Sequence, residues 1–170
     1  MFTVAALMAM ATISVVFTSC NPDACKDVVC NNDGVCNDGT CTCEAGFYGE
    51  SCDLDANSAF VGTWSAREKA NGATTFGTPY PVTVTADASD NKLFYLKDYG
   101  NYLCTAGSYN VTASSNNGVD YSIASTACGT NFTGSGSLST TGTSSQIDGT
   151  YTATYGTPTT TDQVIIEMTK

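Results

Sequence analysis

Cys25, Cys30, Cys36, Cys41, Cys43 and Cys52 follow one another at gaps of four, five, four, one and eight residues, in a chain of 170 residues with nine cysteines. A stretch this short cannot bury enough apolar surface to offset the entropy of ordering it, so covalent cross-links must supply the constraint. Each short closed loop contributes roughly 3 kcal/mol by restricting the unfolded chain. A reducing cytoplasm does not keep so many thiols bridged, and the gaps lack the paired two-residue spacing of structural zinc sites. The chain therefore belongs in an oxidising compartment, and six clustered cysteines allow fifteen pairings.

Inside the last of these loops stands Cys43-Glu44-Ala45-Gly46-Phe47-Tyr48-Gly49-Glu50-Ser51-Cys52. Its glycine, aromatic and glycine before the sixth cysteine, together with the spacing, resemble the EGF family. The resemblance implies an EGF-like module over residues 20–57, its motif at 25–52, with bridges Cys25 to Cys36, Cys30 to Cys41 and Cys43 to Cys52. Asn31-Asn32-Asp33-Gly34 and Asn37-Asp38-Gly39-Thr40 have the turn chemistry of hairpin tips in such a module. Some EGF modules bind calcium around the first cysteine. Asn21 and Asp23 stand at suitable positions, but Ala24 replaces an expected oxygen ligand, and the short gap from Cys36 to Cys41 leaves no room for another. No metal site is therefore expected.

Residues 1–19 carry no charge and form a near-continuous apolar run that could barely cross a ~30 Å hydrocarbon layer as a helix. A secretory leader fits better than a permanent span, although it lacks the usual Lys or Arg before the apolar run. Phe17-Thr18-Ser19-Cys20 resembles the lipobox of bacterial lipoproteins, which implies cleavage after Ser19 and diacylglycerol on the Cys20 thiol. Cysteine parity agrees, since pairing the other eight leaves Cys20 over. The expected location is the bacterial outer membrane or cell surface, with the membrane itself as a partner through thioether-linked and palmitate-type chains. Each buried methylene adds about 0.8 kcal/mol, so several chains anchor stably.

From residue 58 the composition turns to Ser, Thr, Gly and Tyr. Period-two alternation, as in Val82/Val84/Ala86 and Tyr151/Ala153/Tyr155, predicts eight strands, over 60–68, 80–86, 92–98, 102–113, 119–127, 132–139, 146–155 and 163–169. Turn clusters such as Lys69-Ala70-Asn71-Gly72 and Ser115-Asn116-Asn117-Gly118 separate them. The pattern is all-β, and Gly62-Thr63-Trp64 in the first strand is similar to the opening of lipocalin-like domains. That resemblance implies an eight-stranded antiparallel barrel over 58–170 with the tryptophan plugging one end; a β-sandwich is the alternative. The family's late arginine across the tryptophan has no counterpart, because Arg67 is the only arginine. Cys104 and Cys128 lie in neighbouring strand regions and are read as a fourth bridge.

With no histidine, the commonest general base and the Ser-His and Cys-His pairs cannot be built, and a net charge of −10 repels nucleic acid. Glu68 with Glu167, or Asp98 with Asp120, offer carboxylate pairs of glycosidase type, but no nucleophile or phosphate motif accompanies them. The chain is thus expected to be neither an enzyme nor a cofactor carrier. Two functions compete: a tethered binding or adhesion module for a glycan, lipid or protein, with Tyr95, Tyr99, Tyr102 and Tyr109 as a stacking face, and a structural envelope protein without a ligand. Asn110-Val111-Thr112 and Asn131-Phe132-Thr133 match the N-glycosylation acceptor and keep eukaryotic secretion as a further reading.

Overall fold

The computed structural model describes residues 24–100 and 109–170. Two small sheets form the disulfide-bonded unit: β1 (Val35–Asn37) pairs antiparallel with β2 (Thr40–Thr42), and β3 (Phe47–Tyr48) with β4 (Leu54–Asp55). Its bridges join Cys25 to Cys36, Cys30 to Cys41 and Cys43 to Cys52. Asp38 and Gly39 both take positive φ, 51° and 84°, which is what a two-residue hairpin connection between β1 and β2 requires. Asn31-Asn32-Asp33-Gly34 is not a second hairpin tip. It is a turn ahead of β1, closed by Gly34 N–H to the Asn31 carbonyl at 2.9 Å, and it lies against the Cys52 sulfur.

A 3-10 turn, Ala56–Phe60, leads into the barrel. The strands are β5 (Gly62–Ala70), β6 (Tyr80–Ala86), β7 (Leu93–Lys97), β8 (Asn110–Ser114), β9 (Asp120–Ala127), β10 (Thr130–Thr141), β11 (Ser144–Tyr155) and β12 (Thr160–Thr169). Each pairs antiparallel with its sequence neighbours, and β12 returns to β5 to close the barrel. Closure removes the exposed edges that a two-sheet sandwich would keep, so the barrel expected from sequence is the architecture found. β5 runs two residues into the stretch read as a turn, because Lys69 and Ala70 pair with Ile165 and Val164 of β12.

Alternation delivers one side chain in two to the lumen, which is filled. Phe60, Trp64, Phe94, Leu96, Tyr99, Phe132, Ile147, Ile166 and Met168 are fully buried within it. At the end where β5 begins, here the proximal end, Phe60 stacks on Phe94 with ring centroids 4.7 Å apart and meets Tyr121 edge-on at 5.8 Å. The Trp64 indole donates to the Phe60 carbonyl at 2.8 Å, and the Lys170 ammonium sits 4.4 Å from its ring centroid. The same ammonium donates to the Val61 carbonyl at 2.8 Å.

The two units meet through ordered contacts. Asn57 is buried and its amide donates to the carbonyls of Asp87, Asp90 and Leu93, while its own N–H reaches the Asn91 carbonyl. Gly46 N–H donates to the Asn116 carbonyl at 2.8 Å, and the Tyr48 ring covers Gly118 so closely that a Cβ there would lie 2.7 Å from it. Gly118 also has φ of +68°, so glycine is needed on both counts. The disulfide-bonded unit is therefore seated on the β6–β7 and β8–β9 connections at the proximal end.

Candidate functional site

Up-and-down topology puts the β5–β6 connection and the starts of β10 and β12 at the distal end. There the outer face of four strands carries a stripe of short polar side chains. Register sets Thr133 opposite Thr152 and Thr152 opposite Gln163, while Thr150 faces Ile165 and Ile165 faces Lys69. Alternation points all of these away from the lumen. The β5–β6 connection folds over the stripe: Asn71 N–H donates to the Gln163 carbonyl at 2.9 Å and Gly77 N–H to the Glu68 carbonyl at 2.8 Å. The Asn71 amide then donates to buried Asp162 at 2.7 Å, and the Tyr155 hydroxyl donates to the other Asp162 oxygen at 2.8 Å.

The result is a groove of about 480 Å³ lined by Thr133, Thr150, Thr152, Gln163, Ile165 and Lys69, with Gly72 and Ala73 as its overhang. Ile165 is 44% exposed and, with Ala73 and the bordering Val164, gives the groove apolar contacts between its hydroxyl and amide groups. The Lys69 ammonium stands 4.8 Å from the Phe76 ring centroid, and Arg67 lies 5.0 Å from the same ring. Arg67 is bonded to Glu167 at 2.8 Å. Lys69 has no carboxylate within ion-pair range among the described residues.

A second polar cluster lies under the distal end of the lumen. Tyr151 donates to Glu68 at 2.8 Å, and Tyr109 donates to the Tyr99 carbonyl at 2.7 Å. Burial pushes the Glu68 carboxyl above its ordinary range, although hydrogen bonds from Tyr80, Tyr151 and the Gly100 backbone pull the other way. Burial likewise pushes the Tyr121 hydroxyl up to about 12. A folded-state carboxyl raised in this way favours its protonated form, so its contribution to stability is present at low pH and is lost as pH rises through its titration. Glu68→Gln is therefore expected to melt with the parent protein in acid and above it at alkaline pH. Thermal unfolding followed across pH 4 to 9 checks this; a gap that closes as pH rises would contradict it.

Most of the polar groups singled out in the sequence are not brought together. Glu68 points inward whereas Glu167, bonded to Arg67, points outward, so the two do not flank a common space. Asp98 and Asp120 lie at opposite ends of the β7–β9 region, where Lys97 pairs with Asn110 and Leu93 with Ser114. The tyrosine face is not formed: Tyr99 and Tyr109 are buried, and Tyr95 donates to Asp87 in the β6–β7 connection. Tyr102, Cys20, Cys104, Asn21 and Asp23 lie outside the described residues. Cys128 is disulfide-bonded. The groove itself escaped sequence reading, because its walls are alternate residues of four strands. The one local signal was the run of outward threonines in β10 and β11.

The Teneurin-like EGF domain family matches residues 25–55. Among solved structures, a structural-genomics protein of unknown function from Bacteroides ovatus aligns with a TM-score of 0.43 and 18% identity, over 65% of this chain and 40% of its own. The chain thus spans well under two thirds of that structure's length. The matched module, with its three bridges, places the chain among secreted or surface proteins, as an EGF-like unit followed by a closed antiparallel barrel.

Proposed function

We propose that this protein is a bacterial lipoprotein, held at the outer membrane or cell surface by acyl chains on Cys20, that recognises a ligand through the outer face of its barrel and performs no catalysis. The observation that carries this reading is the polarity of the molecule. The EGF-like unit, next in the chain after Cys20, is seated on the proximal end, and the groove opens on the distal half. With an anchor at Cys20, shortly before the EGF-like unit in the chain, the groove would stand on the half of the barrel remote from that unit.

The charge of the EGF-like unit suits a spacer. In sequence, Asp23, Asp27, Asp33, Asp38, Glu44, Glu50, Asp53 and Asp55 are offset by Lys26 alone, and so acidic a unit is repelled by anionic head groups. A filled lumen favours recognition from outside over carriage of a ligand within. The same filling favours the second reading, a structural envelope protein with no ligand.

Cys20→Ser tests the anchor. The variant is expected to move from the detergent-extractable membrane fraction to the soluble fraction while keeping its disulfides. Retention of the variant at the membrane would refute acyl anchoring. Mature protein passed over immobilised glycans, lipids and surface proteins tests recognition, and a uniformly negative result would leave the structural reading.

A further inference from the structure

We propose that the outer-face groove takes a saccharide bearing a carboxylate, with Lys69 as its anion anchor. The inference rests on the recognition reading above and names the ligand class for that same site. Its first support is charge. In a chain of net charge −10, the one ionic side chain lining the groove is a cation, and among the described residues no carboxylate pairs with it. Arg67, the next cation along β5, is occupied by Glu167. An ammonium held against Phe76 and left without a counter-ion is complementary to an anionic group.

The second support is the character of the remaining walls. Thr133, Thr150, Thr152 and Gln163 present hydroxyl and amide groups that both donate and accept, spaced by strand register in two rows across β10, β11 and β12. A polyol satisfies such rows group by group, whereas a lipid chain would leave them unpaired. Exposed Ile165 sits in the second row between Thr150 and Lys69, where the C–H face of a sugar ring can rest. About 480 Å³ lies within the range of small-molecule sites. The peptide units beneath are held in the sheet ladder, so the floor is preorganised.

The test uses the mature acylated protein in mild detergent on an array of glucuronate-containing oligosaccharides and the same oligosaccharides with each carboxyl reduced to the primary alcohol. Binding is expected to the acids and to fall about tenfold or more on reduction, the loss of one hydrogen bond to a charged partner. Lys69→Gln should lose the same factor and no longer distinguish acid from alcohol, while Lys69→Arg should retain the preference. Equal binding of acid and alcohol, or a Lys69→Gln variant that still prefers the acid, would overturn the proposal. Capture of neutral sugars or of proteins alone would refute this inference and leave recognition standing. Failure to bind on this array and in the lipid and protein screens would remove both. A melting temperature matching the parent's shows that a loss in Lys69→Gln is not misfolding.

Discussion

Trp64→Ala is expected to destabilise the barrel by about 3–5 kcal/mol, the range for removing a large buried aromatic. Trp64 is wholly buried, its indole N–H is donated to the Phe60 carbonyl, and Lys170 caps its ring. Loss of the indole leaves a cavity at the proximal end and frees the carbonyl that fixes Phe60. Phe60 stacks on Phe94 and closes the 3-10 turn that joins the two units, so the joint should loosen as well. Against typical domain stabilities of about 5–15 kcal/mol, the loss is a large share. Urea unfolding followed by far-ultraviolet circular dichroism measures it, because Trp64 is the only tryptophan and its fluorescence disappears with it. A loss below about 1 kcal/mol would show that the tryptophan does not hold this end of the barrel.

Gly136→Ala should be comparably severe, for the opposite reason. A Cβ at this position would lie 2.3 Å from the Asp148 carbonyl oxygen and 2.5 Å from the Tyr121 ring. The first is backbone of the paired strand and cannot turn aside. Gly136 faces Gly149 across the ladder, and a Cβ on Gly149 would meet the Tyr121 hydroxyl at 2.2 Å. The two glycines form a notch in β10 and β11 that receives the tyrosine, a close approach of the kind that puts glycine inside a strand. Overpacking commonly costs about 1–3 kcal/mol, and the backbone clash puts this substitution at or beyond the upper end. The midpoint of urea unfolding should fall with little change in slope. Adding Tyr121→Phe should recover only part of the loss, since the hydroxyl is removed but the ring and the Asp148 carbonyl remain. Full recovery would mean that the hydroxyl alone required the glycines.

These two residues also mark where the sequence is legible and where it is not. Trp64 could be placed at a barrel end only through the resemblance of Gly62-Thr63-Trp64 to the opening of lipocalin-like domains, whereas the strands that follow it were legible because alternation is a local property of the chain. The EGF-like unit was legible because its cross-links sit at fixed spacings. Gly136 could not be interpreted, since its necessity comes from Tyr121 and Asp148 on neighbouring strands. The same holds for Lys170 over Trp64, which only barrel closure brings together, and for the groove, whose walls come from β5, β10, β11 and β12. Tyr99 and Tyr109 show the reverse failure. Clustered in sequence, they suggested a stacking face, yet the turn into the lumen after β7 buries Tyr99, and the alternation of β8 sends Tyr109 in after it. Strand residues were predictable where the period decided their side, and functional neighbours were not where the barrel decided who meets whom.

Export of the chain, with lipid on Cys20 as proposed and the remaining cysteines bridged, can be tested directly. The intact mass of unreduced protein extracted from membranes reads both properties in one spectrum. The predicted species begins at Cys20, carries the mass of a diacylglycerol with or without an N-acyl chain, and lacks two hydrogens for every pair of the other cysteines. A chain that still holds residues 1–19, or one beginning at Cys20 with no lipid and alkylatable thiols at 25–52, would contradict it.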